Sequence, residues 1–342
     1  MELQTPKQPL PSRRIDTAVT LVNQPLQTDQ EDRRSLDIRP DRKPFIEANT
    51  NEVGLSHLEK DCIIPVFAKD NESTINHQEF IGVMQQCIQQ LYGASPDPEI
   101  RVSHIVKGRI PSAIAKPAKD LLEHEKTLYY ERMAFSIELE NHSALVCGNR
   151  LNLCLGGVRA YNHENLYGKK TMERFKVFIG YRNTVCTNLC VSSDGFVEEL
   201  KASNLEQLRD GILKMIEAYN KQQHVSTMEE FGEHFLTESQ FAQLLGKARL
   251  YQFLPPVTKM GIPTITFHDS HIHAVAKEYY FNPNFCREED GTIDLWRLYN
   301  LFTGANKSSY IDTFLDRSVN AFSFVQAIKQ GLETRGSNWF IN

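Results

Sequence analysis

Between Met133 and Val191 hydrophobic residues recur with a period of two, and from Ser203 onward they recur with a period close to 3.6. That change of period confines the chain to an α+β arrangement, in which a sheet forms in the middle and helices follow to cover it. Met133, Phe135, Ile137 and Leu139 alternate with Ala134, Ser136, Glu138 and Glu140, and Leu151, Leu153 and Leu155 alternate with Asn152 and Cys154. Phe175, Val177, Ile179 and Tyr181 continue the pattern opposite Arg174, Lys176 and Arg182. The spacing predicts antiparallel, half-buried strands with turns at Asn141-His142 and Gly148-Asn149, and a last strand over 185–191 ending at Asp194-Gly195.

The flanks read differently. The first 55 residues hold a single aromatic, Phe45, among Pro, Gln, Asp and Arg, too little apolar surface to offset the entropy of ordering. A mobile arm over 1–55 is therefore expected, with order beginning near Glu59. The remainder, 56–342, is expected to be one α+β domain, divisible into a sheet-containing part, 56–195, and a helical part, 196–342. Asn76 with Glu79 forms a capping box for a helix over 76–92 that Gly93 ends, and a second helix is predicted over 117–130. After Gly195 only helices are expected: Ser203 with Glu206 and Thr237 with Gln240 repeat the capping device, and further helices fit 270–280, 292–302 and 310–332.

Charge is segregated along the chain. From Cys147 to Val191 the bases Arg150, Arg159, Lys169, Lys170, Arg174, Lys176 and Arg182 face only Glu164 and Glu173; from Glu198 to Gln240 nine acids face Lys201, Arg209, Lys214 and Lys221. Either the two segments pair with each other, or the basic one is an open surface. In the open case Arg150, Arg174, Lys176, Arg182, Asn183 and Asn188 would hold phosphates or base edges while Phe178 or Tyr181 stacks on bases, a surface for single-stranded nucleic acid. The acidic helices over 198–240 would alternatively make a protein-binding module that mimics nucleic acid.

A third chemistry is carried by His268, Asp269, His271 and His273, which could bind a metal and activate water for hydrolysis. The cluster sits where a helix starts, Asp269 or Ser270 reads as an N-cap, and successive helical residues turn about 100°, so His271 and His273 diverge. No metal and no other cofactor is expected. Gly304, Lys307 and Ser308 lack phosphate-loop spacing and read as a helix end at Gly304 and a new start at Ser308 or Ser309. The seven cysteines read as small buried hydrophobes. No run of about 18 apolar residues is present and the N-terminus carries no apolar leader, so a cytoplasmic protein without a membrane partner is expected.

FKVFIGYRNTVCTNLCVSSDG (175–195) and LYNLFTGANKSSYIDTFLDRSVNAFSFVQ (298–326) resemble domain-of-unknown-function family 3871, an uncharacterised family of Bacteroidetes chromosomes and mobile elements. Arg182, Val185, Cys186 and Asn188, followed by Tyr299-Asn300 and Thr303, are more distantly similar to phage/plasmid-like proteins of unknown function. The resemblance implies a mobile-element or phage setting, in which the partner would be single-stranded nucleic acid or a host or phage protein bound to counter host defence, and carries no catalytic residues with it.

Overall fold

The structure is a computed structural model that describes residues 43–62, 74–113, 115–163, 172–334 and 338–342. Residues 1–42 of the expected arm, and Lys169 and Lys170, lie outside the described residues. The strands are β1 (Asn51–Val53), β2 (Glu99–Arg109), β3 (Lys126–Val146), β4 (Asn149–Ala160), β5 (Glu173–Asn183), β6 (Leu189–Cys190), β7 (Phe196–Ala202), β8 (Phe235–Leu236) and β9 (Ile293–Asp294). The helices are α1 (Leu55–Lys60), α2 (His77–Tyr92), α3 (Leu205–Ala218), α4 (Lys221–Phe231), α5 (Glu238–Tyr251), α6 (Pro256–Lys259), α7 (Asp269–Phe281), α8 (Leu295–Asn306) and α9 (Ile311–Thr334). The α+β class expected from the change of period is the class observed. β1 to β6 pair in order, all antiparallel, and the far edge of β5 is shared by β6 at one end and β7 at the other.

The period of two sorts the side chains as it should. Met133, Phe135, Ile137 and Leu139 enter the main core under α2 and α3, and the opposite face packs Ala134, Cys154, Val158 and Phe178 under Ile311, Phe314 and Leu315 of α9. Gly156 and Gly157 allow close approach from both sides. A Cβ on Gly157 would lie 2.4 Å from Phe80 of α2, and one on Gly156 would lie 2.8 Å from Phe178 and 2.1 Å from the Phe135 carbonyl. We predict that Gly157→Ala lowers stability by about 1–3 kcal/mol through overpacking. A urea midpoint equal to that of the wild type would show that Phe80 yields freely.

Several local expectations change. Residues ahead of Glu59 are already packed, because Phe45 and Ile46 are buried, Phe45 lies edge-on to Phe314 at 5.8 Å, and β1 pairs with β2. Averaged composition hid this two-residue anchor. No helix spans 117–130: short turns lead to Lys126, where Thr127 to Tyr130 begin pairing with β2, so tertiary pairing overrides local helix preference. Asn141-His142 is a register irregularity inside β3, and the reversal falls at Cys147-Gly148, both at positive φ (46° and 78°), a two-residue hairpin turn. Only Leu189–Cys190 of the expected last strand pairs, and β7 follows it, so the chain after Gly195 is not wholly helical. Asn204, not Ser203, caps α3, and α8 runs through Gly304 to Asn306. The capping boxes at Asn76 and Thr237 are present. All seven cysteines are free thiols; Cys87, Cys154 and Cys190 are buried as expected, whereas Cys62, Cys186 and Cys286 are half-buried and Cys147 is exposed.

Candidate functional site

Three basic side chains of the sheet, Arg159, Lys176 and Arg182, are committed inside the protein. Arg182, 1% exposed, donates from Nη1 to Glu99 Oε2 at 2.6 Å and from Nη2 to the Lys43 carbonyl at 3.3 Å, with Glu138 Oε2 at 3.8 Å. Lys176 donates to the Asp312 carbonyl at 2.8 Å and pairs with Asp316, both on α9. Arg159 is buried against Glu173. Arg174 and Arg150 reach the surface, Arg174 paired with Glu199 at 3.0 Å and Arg150 donating to the Glu140 carbonyl at 3.0 Å. Of these pairs only Arg174–Glu199 joins the basic segment to the acidic one. The polar face is covered by α9 and by residues 43–46, not by the acidic helices.

The stacking and base-reading residues are likewise interior. Phe178 lies in the second core, and Tyr181 sits on the opposite face, edge-on to His224 at 5.8 Å. Asn183 accepts from the Val185 amide at 2.9 Å and holds the turn to Asn188, while Asn188 Nδ2 donates to the Asn300 carbonyl at 2.9 Å. Lys307 donates to Thr187 Oγ1 at 2.8 Å and to the Cys186 carbonyl. The two distant segments that carry the family resemblance therefore meet, as a buried polar junction between the sheet and α8.

The histidines do not converge. His271 accepts on Nδ1 from the His268 amide at 3.2 Å, which places its proton on Nε2 facing Ser309 Oγ at 3.1 Å. Ser309 Oγ in turn donates to Asn306 Oδ1 at 2.7 Å. His271 would have to break both contacts to ligate a metal, and burial pushes its pKa down to about 4, aided by Arg317 and His268. His268 and His273 are exposed, and Asp269 is drawn to Arg249 at 3.2 Å. His268, not Asp269 or Ser270, is the residue that precedes the first turn of α7.

A groove opens where β1, the start of β2 and β3 come together. It measures about 890 Å³ and is lined by Glu52, Asp97, Glu99, Glu138, Glu140 and Arg182, with Tyr92, Pro96, Pro98 and Leu55 among its apolar walls. β1 supplies Glu52, the loop after α2 supplies Asp97, and the end of the regular part of β3 supplies Glu138 and Glu140. Arg182 is the one Lys or Arg of the lining, and its Nε has no hydrogen-bond partner among the described residues. Burial raises the pKa of Glu52, the neighbouring Glu99 adds to the shift, and Arg101, bonded to Glu52 at 3.3 Å, opposes it. Glu138 Oε1 accepts from Asn152 Nδ2 at 2.7 Å, which fixes the carboxylate at the floor. The sequence held one sign of this site: Ser136, Glu138 and Glu140 occupy the alternate positions of a strand whose other face is wholly apolar.

Sheet and covering helices define an α+β protein with an acidic groove among its openings. A family model described as "Domain of unknown function, B. Theta Gene description (DUF3871)" matches residues 36–341. The chain belongs to that family. No curated protein and no solved structure matches it. Among the described residues no helix is long and apolar enough to cross a membrane.

Proposed function

We propose that the protein binds an organic cation, a ligand bearing ammonium or guanidinium groups, in this groove. The observation that carries the reading is the lining itself: five carboxylates against one guanidinium of the lining, bonded to Glu99, and one behind it, Arg101, bonded to Glu52. The volume falls within the range of pockets for small ligands, about 300–1,000 Å³. Carboxylates that accept from a charged donor form hydrogen bonds about twice as strong as neutral ones, and a half-enclosed groove weakens the screening that water would impose. Tyr92 adds an aromatic wall that the chain already uses this way, with the Lys221 ammonium 4.8 Å from its ring centroid.

The single-stranded nucleic acid reading requires Lys176 and Arg182 to leave Asp316 and Glu99, and Phe178 and Tyr181 to leave the core before they can stack. The metal-hydrolase reading requires His271 to leave the His268 amide and Ser309. The groove requires no rearrangement. Calorimetric titration with spermidine at low salt tests the proposal. Binding is expected, weakening as salt rises, because the Debye length shortens to about 10 Å at 0.1 M. Asp97 and Glu140 are exposed, so Asp97→Asn with Glu140→Gln spares the core and is expected to weaken binding by roughly tenfold, two surface-type ion pairs of up to about 1 kcal/mol each. Absence of heat at low salt, or equal affinity in the double variant, overturns the proposal.

A further inference from the structure

On the far side of the helical half, α5 ends in a tip whose apolar side chains point away from the protein. Phe253, Val257 and Met260 are 79%, 78% and 79% exposed, and Leu250 is 60% exposed. The surrounding sequence is equally unusual. From Ser239 to His268 there is no Asp or Glu, although the chain as a whole has 43, and the stretch carries Lys247, Arg249 and Lys259.

We propose that the tip over 250–260 inserts into the interfacial layer of an anionic lipid bilayer. Three features of the structure carry this. First, the tip satisfies most of its own backbone. The amides of Phe253, Leu254, Thr258, Lys259 and Met260 donate to carbonyls of residues 250, 251, 255 and 257, and Pro255 and Pro256 have no amide hydrogen. Apolar side chains can therefore enter the interfacial layer, where headgroups and water serve the Val257 amide, with few unsatisfied amides to carry.

Second, bases and aromatics ring the tip where headgroups would lie. The Lys259 ammonium is 4.9 Å from the Tyr251 ring centroid and that of Lys247 is 5.6 Å from the half-buried Trp339 ring, with the Lys247 ammonium also donating to the Asn342 carbonyl at 2.5 Å. Arg249 pairs with Asp269 at 3.2 Å, but both are more than half exposed, and such pairs are weak enough to exchange for a lipid phosphate. Amphipathic rings and long basic side chains are the residues that settle at this depth. Third, the tip is convex. Side chains nearly 80% exposed leave a partner to supply all the concavity, which a fluid bilayer does by parting and a rigid protein surface does only with a matching recess.

Co-sedimentation with vesicles tests this on the full chain. With phosphatidylcholine vesicles containing about one-third phosphatidylserine, the protein is expected to pellet at low salt, and with pure phosphatidylcholine to partition about tenfold less, since each base near an anionic surface contributes to attachment. Phe253→Ser with Met260→Ser is expected to lower partition to the anionic vesicles by about tenfold while leaving thermal melting unchanged, because these side chains pack on little. Lys259→Glu is expected to reduce the preference for phosphatidylserine. A wild-type protein that stays in the supernatant with anionic vesicles overturns the proposal, as does a double variant that pellets equally. Self-association that the double variant abolishes, without vesicle binding, would identify the tip as a protein contact and likewise overturn it.

Discussion

Glu173→Ala is expected to destabilise the protein by about 3–5 kcal/mol, the loss typical when one member of a buried ion pair is removed and the other stays behind. Arg159 is fully buried and Glu173 is 5% exposed. The carboxylate accepts from Arg159 and, through both oxygens, from the Ile75 amide at 3.1 Å. It thus ties the entry to α2 to the edge of the sheet as well as balancing the guanidinium. Arg159 cannot follow its charge into water, because it is held 4.2 Å from the centroid of Phe175 and 4.9 Å from that of Tyr161. Arg159→Met together with Glu173→Gln is expected to lose less than the single substitution, since no charge then remains in the core. Urea midpoints of the three proteins decide it. A single-variant loss below about 1 kcal/mol would mean that another partner or solvent compensates Arg159 once Glu173 is gone.

That same pair marks the limit of what the sequence makes legible. Alternation from Met133 to Tyr181 fixes which face of each strand is apolar, and the helical stripes with their capping residues fix α2, α5, α7 and α9 to within a few residues. The polar members of the alternation were visible as well, but their environment was not. Lys176 and Arg182 have the spacing of an open basic face, and nothing local states that Asp316 and Glu99 meet them, or that Glu173 meets Arg159. Glu99 lies 83 residues from Arg182, on a strand that the hydrophobic pattern did not reveal. Glu199, within the acidic segment, does meet Arg174, so the two charged segments do pair at that position, while Lys176 and Arg182 find their partners outside the acidic segment. The groove escaped notice for a related reason. Its carboxylates come from three separate segments, and convergence of that kind is a property of the fold, not of any window of sequence.

Acidification is expected to destabilise the protein steeply between about pH 6.5 and 4, before most carboxylates titrate. Three histidines are buried as neutral rings: burial pushes His77 down to about 3, and His224 and His271 down to about 4. Arg159 lowers His77 further and Arg317 and His268 lower His271, whereas Asp194 opposes the shift at His224 and the Tyr130 carbonyl opposes it at His77. Since the folded pKa lies below the unfolded value of about 6.5, their contribution is fully present above pH 6.5 and is lost as pH falls, because the unfolded chain takes up protons that the native state refuses. Each histidine adds a slope of up to about 1.4 kcal/mol per pH unit, so the three together approach about 4 kcal/mol per unit near pH 5. Below about pH 4 His224 and His271 protonate in the folded state too, and their share levels off. His224 is the cleanest probe. Its ring is hydrogen-bonded to Tyr219 at 2.6 Å and packed edge-on to Phe322, so His224→Phe keeps the aromatic contact and removes the proton. Urea midpoints measured from pH 7.5 to 4.5 should fall in both proteins, with the slope in the variant reduced by about one third. Parallel curves for the two would show that His224 titrates freely in the folded protein, and a wild-type midpoint unchanged down to pH 5 would remove the buried-histidine account altogether.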